Sequence, residues 1–174
     1  MPIQRKKIQF LVRDLLSSSG VTRAPVPIRK IARSRGARIV LNSLESDLSG
    51  FLFRDKSQAV IGVNTNHARV RQNFTIAHEL GHLLMHDRNE QLHIDKKYSV
   101  RLRSDISSQG VDEAEMEANY FAAELLMPTN FIKSDVQPLV GTDADLAIQK
   151  LAEKYRVSRE AMSIRLSSLR YVQL

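Results

Sequence analysis

Apolar residues near the start of the chain recur every three or four positions: Ile8, Leu11, Val12, Leu15 and Leu16. That spacing predicts an amphipathic helix over residues 4–18, ended by Gly20. Pro25 and Pro27 then introduce a shorter helix carrying Ile28, Ile31 and Ala32, closed by Gly36 in the left-handed conformation that helix ends favour. Three extended runs follow, at residues 38–41, 50–53 and 59–63, the last two joined by the polar turn Arg54, Asp55, Lys56, Ser57. They predict a small three-stranded antiparallel sheet.

Helical periodicity returns from about Asn66 to His86, with Val70, Phe74, Ala77, Leu80, Leu83 and Leu84 on or near one face and no proline to interrupt it. The polar stretch from there to Gly110 is long for a connection in a compact domain and reads as a mobile or functional loop. Asp112 is placed to cap a helix through Met116, Phe121, Leu125 and Leu126, stopped by Pro128. Two more helices are expected over residues 143–155 and 159–172, the second capped by Ser158. The pattern as a whole is α+β and mainly helical.

The last two helices have the cadence of a helix-turn-helix, with the small Ala152 and the Val157-Ser158 turn at fitting offsets. Arg156, however, holds the turn position where glycine is favoured, so a structural or substrate-docking role is expected of this element before DNA reading. Arg159 and Arg165 could touch phosphate, although arginine on an exposed helix is more often simply solvated.

A length of 174 residues suits one domain with its own core, and 43% hydrophobic with 26% charged residues excludes a disordered or low-complexity chain. The net charge of +7 is uneven, with 14 basic against 4 acidic residues over 1–75 and 5 against 10 over 76–130. A basic front could meet nucleic acid or an acidic partner, but solvated lysines and arginines give the same count. No apolar run reaches the roughly 18 residues of a membrane span, and the basic start is unlike a signal peptide, so a cytoplasmic protein is expected. With no cysteine, any zinc site must be built from histidine and carboxylate.

His78-Glu79-Leu80-Gly81-His82 places two imidazoles four residues apart, on one side of a helix and at a separation suited to a single metal ion. Glu79 between them can take a proton from water and later deliver it to a leaving amine. Such a pattern would arise in roughly one random chain in a hundred of this composition, so two histidines hydrogen-bonded at a helix surface is the competing reading. Gly81 costs a helix about 1 kcal/mol against alanine, which a close backbone approach would explain. A catalytic zinc takes a third protein ligand, and Glu113, Glu115 and Glu117 are candidates, with His67, His86 and His93 as rivals. Asn119, four residues after Glu115, could hold a ligand histidine by its free ring nitrogen. His86 continues the four-residue series, and is expected to meet the terminal carbonyls of its helix.

The runs Asn73-Phe74-Thr75-Ile76-Ala77-His78-Glu79-Leu80-Gly81-His82-Leu83-Leu84-Met85-His86 and Glu115-Met116-Glu117-Ala118-Asn119-Tyr120-Phe121-Ala122-Ala123-Glu124-Leu125-Leu126-Met127-Pro128 resemble the ImmA/IrrE family of metallopeptidases. The similarity extends to Leu48-Ser49-Gly50 and Ile61-Gly62-Val63-Asn64 and covers most of residues 5–170. The resemblance implies a zincin-like core over residues 1–130 and a helix-turn-helix-like helical extension over 131–174. It implies that His78, His82 and Glu115 bind the metal and that Glu79 is the catalytic acid and base. It also implies a protein substrate, since members of that family cleave or inactivate helix-turn-helix repressors of mobile elements and stress regulons. Against the longer, radiation-response members, no further carboxy-terminal sensing domain is expected.

Zinc follows from the ligand types, with manganese as the other metal that accepts carboxylate and imidazole. Residues 59–63, leading straight into the histidine helix, are either a candidate edge along which an extended peptide adds as a strand or, equally, a strand in ordinary sheet packing. Tyr98, His93 or an arginine of the long loop could stabilise the oxyanion. The alternative to a zinc endopeptidase is a non-catalytic binding or DNA-regulating protein with a structural metal, suggested by the basic flank and the carboxy-terminal helices.

Overall fold

The computed structural model of the chain describes residues 4–45, 47–54, 58–86, 92–96 and 111–171. Helix α1 (Arg5–Ser18) buries Ile8, Val12, Leu15 and Leu16, the face its periodicity marks. Helix α2 (Ile28–Ser34) buries Ile28, Ile31 and Ala32, and Gly36 follows it at φ +85°, as expected of a helix terminus.

Strands β1 (Ala37–Asn42), β2 (Leu48–Arg54), β3 (Ala59–Asn64) and β4 (Leu92–Lys96) form one sheet in the order β1-β3-β2-β4. β3 runs antiparallel to β2, with Gly50 opposite Val63, but parallel to β1, with Ala37 opposite Ala59. The sheet is therefore mixed and four-stranded, not the three-stranded antiparallel sheet predicted. Alternation of apolar residues reports which face a strand buries and carries no information on which strand lies beside it. Here β3 returns from β2 to lie between β2 and β1. Asn64 at its end is fully buried and pins the β1–β2 connection, its Nδ2 donating to the carbonyls of Glu45 at 3.0 Å and Leu48 at 2.7 Å.

Because β3 is an inner strand, residues 59–63 are not an edge, and no peptide can add there. The outer strands among the described residues are β1 and β4. β4 lies within the polar stretch expected to be a loop and pairs antiparallel with β2, Leu92 opposite Phe53. Residues 87–91 and 97–110 of that stretch, with the oxyanion candidates Tyr98 and the loop arginines, lie outside the described residues.

Helix α3 (Arg69–Met85) packs on strands β2 and β3. A Cβ on Gly50 would collide with the Gly62 carbonyl and the Thr75 methyl, so β2 can approach α3 this closely only through glycine. Helix α4 (Val111–Leu126) begins one residue ahead of the expected cap Asp112, whose side chain lies outside the described residues. It packs against α3, and α1 packs on it. After α5 (Thr129–Val136) and a 3-10 turn at Gln137–Leu139 come α6 (Ala144–Tyr155) and α7 (Arg159–Ser168), where Asp143 accepts from the Leu146 N–H and Ser158 from the Ala161 N–H. α7 stops four residues short of the predicted 172, because Arg170 turns to φ +63° and the Tyr171 N–H returns to the Leu166 carbonyl. No helix among the described residues is long and apolar enough to cross a membrane.

One buried cluster joins sheet and helices, with Leu15, Ile61, Leu80, Phe121, Leu125 and Met162 in it. Arg165 of α7 enters this interior. Its guanidinium pairs with buried Glu124 of α4 and donates to the Met127 carbonyl at 3.1 Å and to Thr129 Oγ1 at 3.0 Å. It is therefore neither a phosphate contact nor a solvated side chain, in contrast to both expectations, because α7 turns this face toward α4.

Candidate metal centre

The helical phase of α3 places His78, Glu79 and His82 on its buried side, at 1%, 0% and 3% exposure. α4 crosses them tightly. A Cβ on Gly81 would sit 3.0 Å from Cδ1 of Phe121 and 3.2 Å from the Ala118 Cα, which accounts for glycine inside a helix at this point. The approach carries Glu115 to the two imidazoles, its Oε2 3.4 Å from His78 Nε2 and its Oε1 3.1 Å from His82 Nε2. The two Nε2 atoms are 3.0 Å apart. One ligand atom from each of the three residues lies within 4.8 Å of the others, and neither Glu113 nor Glu117 belongs to this group.

The outer ring nitrogens fix how the imidazoles can act. His78 Nδ1 lies 2.9 Å from Asn119 Oδ1, an acceptor, so Nδ1 carries the proton and Nε2 presents a lone pair inward. His82 Nδ1 lies 3.0 Å from Nδ1 of His86, whose Nε2 is 3.4 Å from Glu117 Oε2. With the His86 Nε2–H donating to that carboxylate, His86 accepts from the His82 Nδ1–H, and His82 too is left with an inward lone pair. Glu117 is anchored in turn, since the Gln4 backbone N–H donates to its Oε1 at 3.2 Å.

This donor set fits a small divalent cation. A tetrahedron with zinc–nitrogen distances of about 2.0–2.1 Å has edges of about 3.3 Å, close to the separations of 3.0–3.4 Å found here. Burial alone would push the Glu115 carboxyl upward, but in the metal-free chain a proton on the inward nitrogen of His78 or His82, with the hydrogen bond and charge it brings, outweighs that and holds the carboxyl well below the usual carboxylate range; the inward lone pairs are the state in which a cation takes the place of that proton. An ionised carboxylate beside two imidazoles is a donor set that could hold a cation. Of the rival histidines, His67 has its carbonyl bonded by Gln72 Nε2 at 2.8 Å and is outside the group, while the side chain of His93 on β4 is not described. The expected role of His86 is corrected: its ring turns to His82 and Glu117, and only its backbone N–H meets a helix carbonyl, that of His82. Glu117 as its anchor went unrecognised, although the four-residue step from His82 to His86 was a visible signal.

A sheet beneath a helix with paired inward imidazoles, completed by an acid from a second helix, defines the architecture of a zincin-like α+β domain. The family model Peptidase_M78, described as the IrrE N-terminal-like domain, matches residues 32–167, and the chain belongs to this metallopeptidase family. A relative from Bacillus phage phi105, named as uncharacterized immunity region protein 2, is 31% identical over 114 residues, covering 60% of this chain and 66% of that protein. A Mycobacterium tuberculosis transcriptional regulator superposes with a TM-score of 0.67 at 16% identity, over 95% of this chain and 47% of its own length, a likeness of fold. The chain thus spans less than two thirds of either relative.

Proposed function

We propose that the protein is a zinc-dependent endopeptidase that cleaves a helix-turn-helix repressor and so relieves repression of mobile-element or stress-response genes. The observation that carries this reading is the group His78, His82 and Glu115 with inward lone pairs, beside the fully buried Glu79. Family membership and the immunity-region name of the phage relative support a protein substrate of the repressor kind.

In this reading His78, His82 and Glu115 hold the metal, zinc by ligand type with manganese as the second choice. The metal when bound would polarise the scissile carbonyl and acidify water. Glu79 takes the proton of the attacking water on its carboxylate and returns it to the leaving amine nitrogen. An extended substrate segment would add along β4, whose Leu92 pairs with Phe53 next to Arg54, a side chain reaching the His86 carbonyl at 3.3 Å. Residues 1–130 carry the chemistry, and the helices of 131–174 support it or dock substrate.

The test is incubation of the purified chain with a helix-turn-helix repressor encoded beside it, with and without chelator. Cleavage should require metal, and Glu79→Gln should lose it by a factor of about a thousand or more while keeping about one metal per chain and an unchanged melting temperature. Intact repressor with metal-loaded wild type would overturn the assignment.

The second reading, a DNA-regulating protein with a structural metal, draws on the α6–α7 turn, where Arg156 takes the left-handed conformation at φ 55° and both helices are side-chain capped. It requires salt-sensitive DNA binding that survives Glu79→Gln.

A further inference from the structure

At the other end of the α3–α4 pair from the metal group, a cavity of about 990 Å³ opens between α2, the first turn of α3, the end of α4 and the α6–α7 turn. Its floor is apolar, with buried Val26, Leu126 and Val157. Around it stand six cations, Arg29, Lys30, Arg33, Arg69, Arg156 and Arg159, against one carboxylate, Glu153.

This arrangement is unfavourable when empty. Arg69 is the first residue of α3 and Arg159 the first of α7, where the positive end of the helix dipole already disfavours a cation. Arg29 donates to a neutral acceptor, Gln72 Oε1, at 3.0 Å. Its burial, then the charges of Arg69 and Arg33, lower its pKa from the ordinary value. Among the described residues the ion pair recorded for these six is Arg159 with Asp145, at 3.7 Å and with both side chains exposed. Six like charges gathered on a concavity with Glu153 in its lining and Asp145 beside Arg159 remain in excess and are relieved by an anion.

The shape restricts which anion. Guanidinium forks match phosphate oxygens two at a time, and Arg29, Arg33 and Arg69 come from two different helices onto one space. The apolar floor beside them gives an organic body somewhere to lie. The volume is that of a small-molecule site, about 300–1,000 Å³. We propose that this cleft binds an organic polyphosphate of the nucleotide class, its phosphates on Arg29, Arg33 and Arg69 and its body on the floor of Val26, Leu126 and Val157. The site shares no residue with the metal group, so it stands or falls independently of the peptidase reading.

The experiment is calorimetric titration of the full chain, without added metal, using ATP, GTP, inorganic triphosphate, a short DNA duplex and a glutamate-rich peptide. ATP or GTP should bind one per chain, and Arg29→Gln with Arg69→Gln should weaken it by about tenfold or more. Arg33→Gln alters an exposed side chain and should weaken binding without lowering the melting temperature, whereas Arg13→Gln on α1 and Glu79→Gln should leave binding unchanged. No saturable binding of either nucleotide at millimolar concentration, or binding indifferent to Arg33→Gln, would overturn the proposal. Tighter binding of the duplex or the peptide would overturn it too, as would triphosphate alone binding as well as ATP.

Discussion

His78 and His82 are alike in sequence but are held by different means, His78 by a neutral amide and His82 through a second imidazole and a carboxylate. Each arrangement keeps the outer nitrogen protonated and the inner one available. Removing either holder should therefore weaken the metal without removing a ligand. Asn119→Ala and His86→Ala are each expected to lower zinc affinity by roughly 10–100-fold in a chelator competition, with the fold intact by circular dichroism. Glu117→Gln should act in the same direction and more weakly, since the amide can still accept from His86. An unchanged affinity in His86→Ala would mean that its contact with His82 is incidental. The pairing of His78 with His82 could be read from a five-residue run, because a helix makes residues four apart neighbours. The choice of Glu115 over Glu113 and Glu117 came from the family resemblance, with Asn119 four residues on as a hint; spacing alone does not make it, because all three lie on one helix and which of them meets the imidazoles depends on how α4 is rotated and shifted against α3.

Between elements, the close crossing of α3 and α4 sets the geometry of the metal group. Gly81→Ala would gain about 1 kcal/mol of helix propensity but would press a methyl against the ring of Phe121, which is fully buried, and the backbone of Ala118. Neither neighbour can swing aside, so a net loss of about 1–2 kcal/mol in denaturant unfolding is expected, with weaker metal binding as α4 is pushed away. A second contact joins α5 and α6, where the Tyr155 hydroxyl donates to Asp135 Oδ2 at 2.7 Å. Burial, then the hydrogen bond and charge of Asp135, raise the phenol well above its ordinary value. A raised folded pKa means that this contribution to stability is complete below the unfolded value of about 10 and is lost as pH rises through and beyond it. Stability should fall above about pH 10, and Tyr155→Phe, costing about 1 kcal/mol at pH 7, should flatten that alkaline limb in a pH series of melting curves. The helices and the strands β1, β2 and β3 were largely visible in the pattern; β4 was not, since it carries a polar segment into a pairing that only β2 makes favourable.

Across the whole molecule, the carboxy-terminal helices are tied to the α4 helix by the buried Arg165–Glu124 pair. Removing one partner strands a charge, so Arg165→Ala is expected to cost about 3–5 kcal/mol and to lower the melting temperature markedly. Arg165→Met with Glu124→Leu, which removes both charges, should recover most of that loss. A single variant as stable as wild type would show that α7 does not depend on this anchor.

Local order was set by the sequence alone: where helices run, which face of each is apolar, the two histidines and glutamate of one helical turn, and the glycines and capping residues at several ends. These depend on dihedral preference and on spacing within a few residues. Tertiary structure alone decided most neighbours: the parallel pairing of β1 with β3, Glu117 behind His86, the burial of Arg165, and six cations around one cavity. Such contacts join residues tens of positions apart, and periodicity within one element says which way a side chain faces but not what packing will bring to meet it.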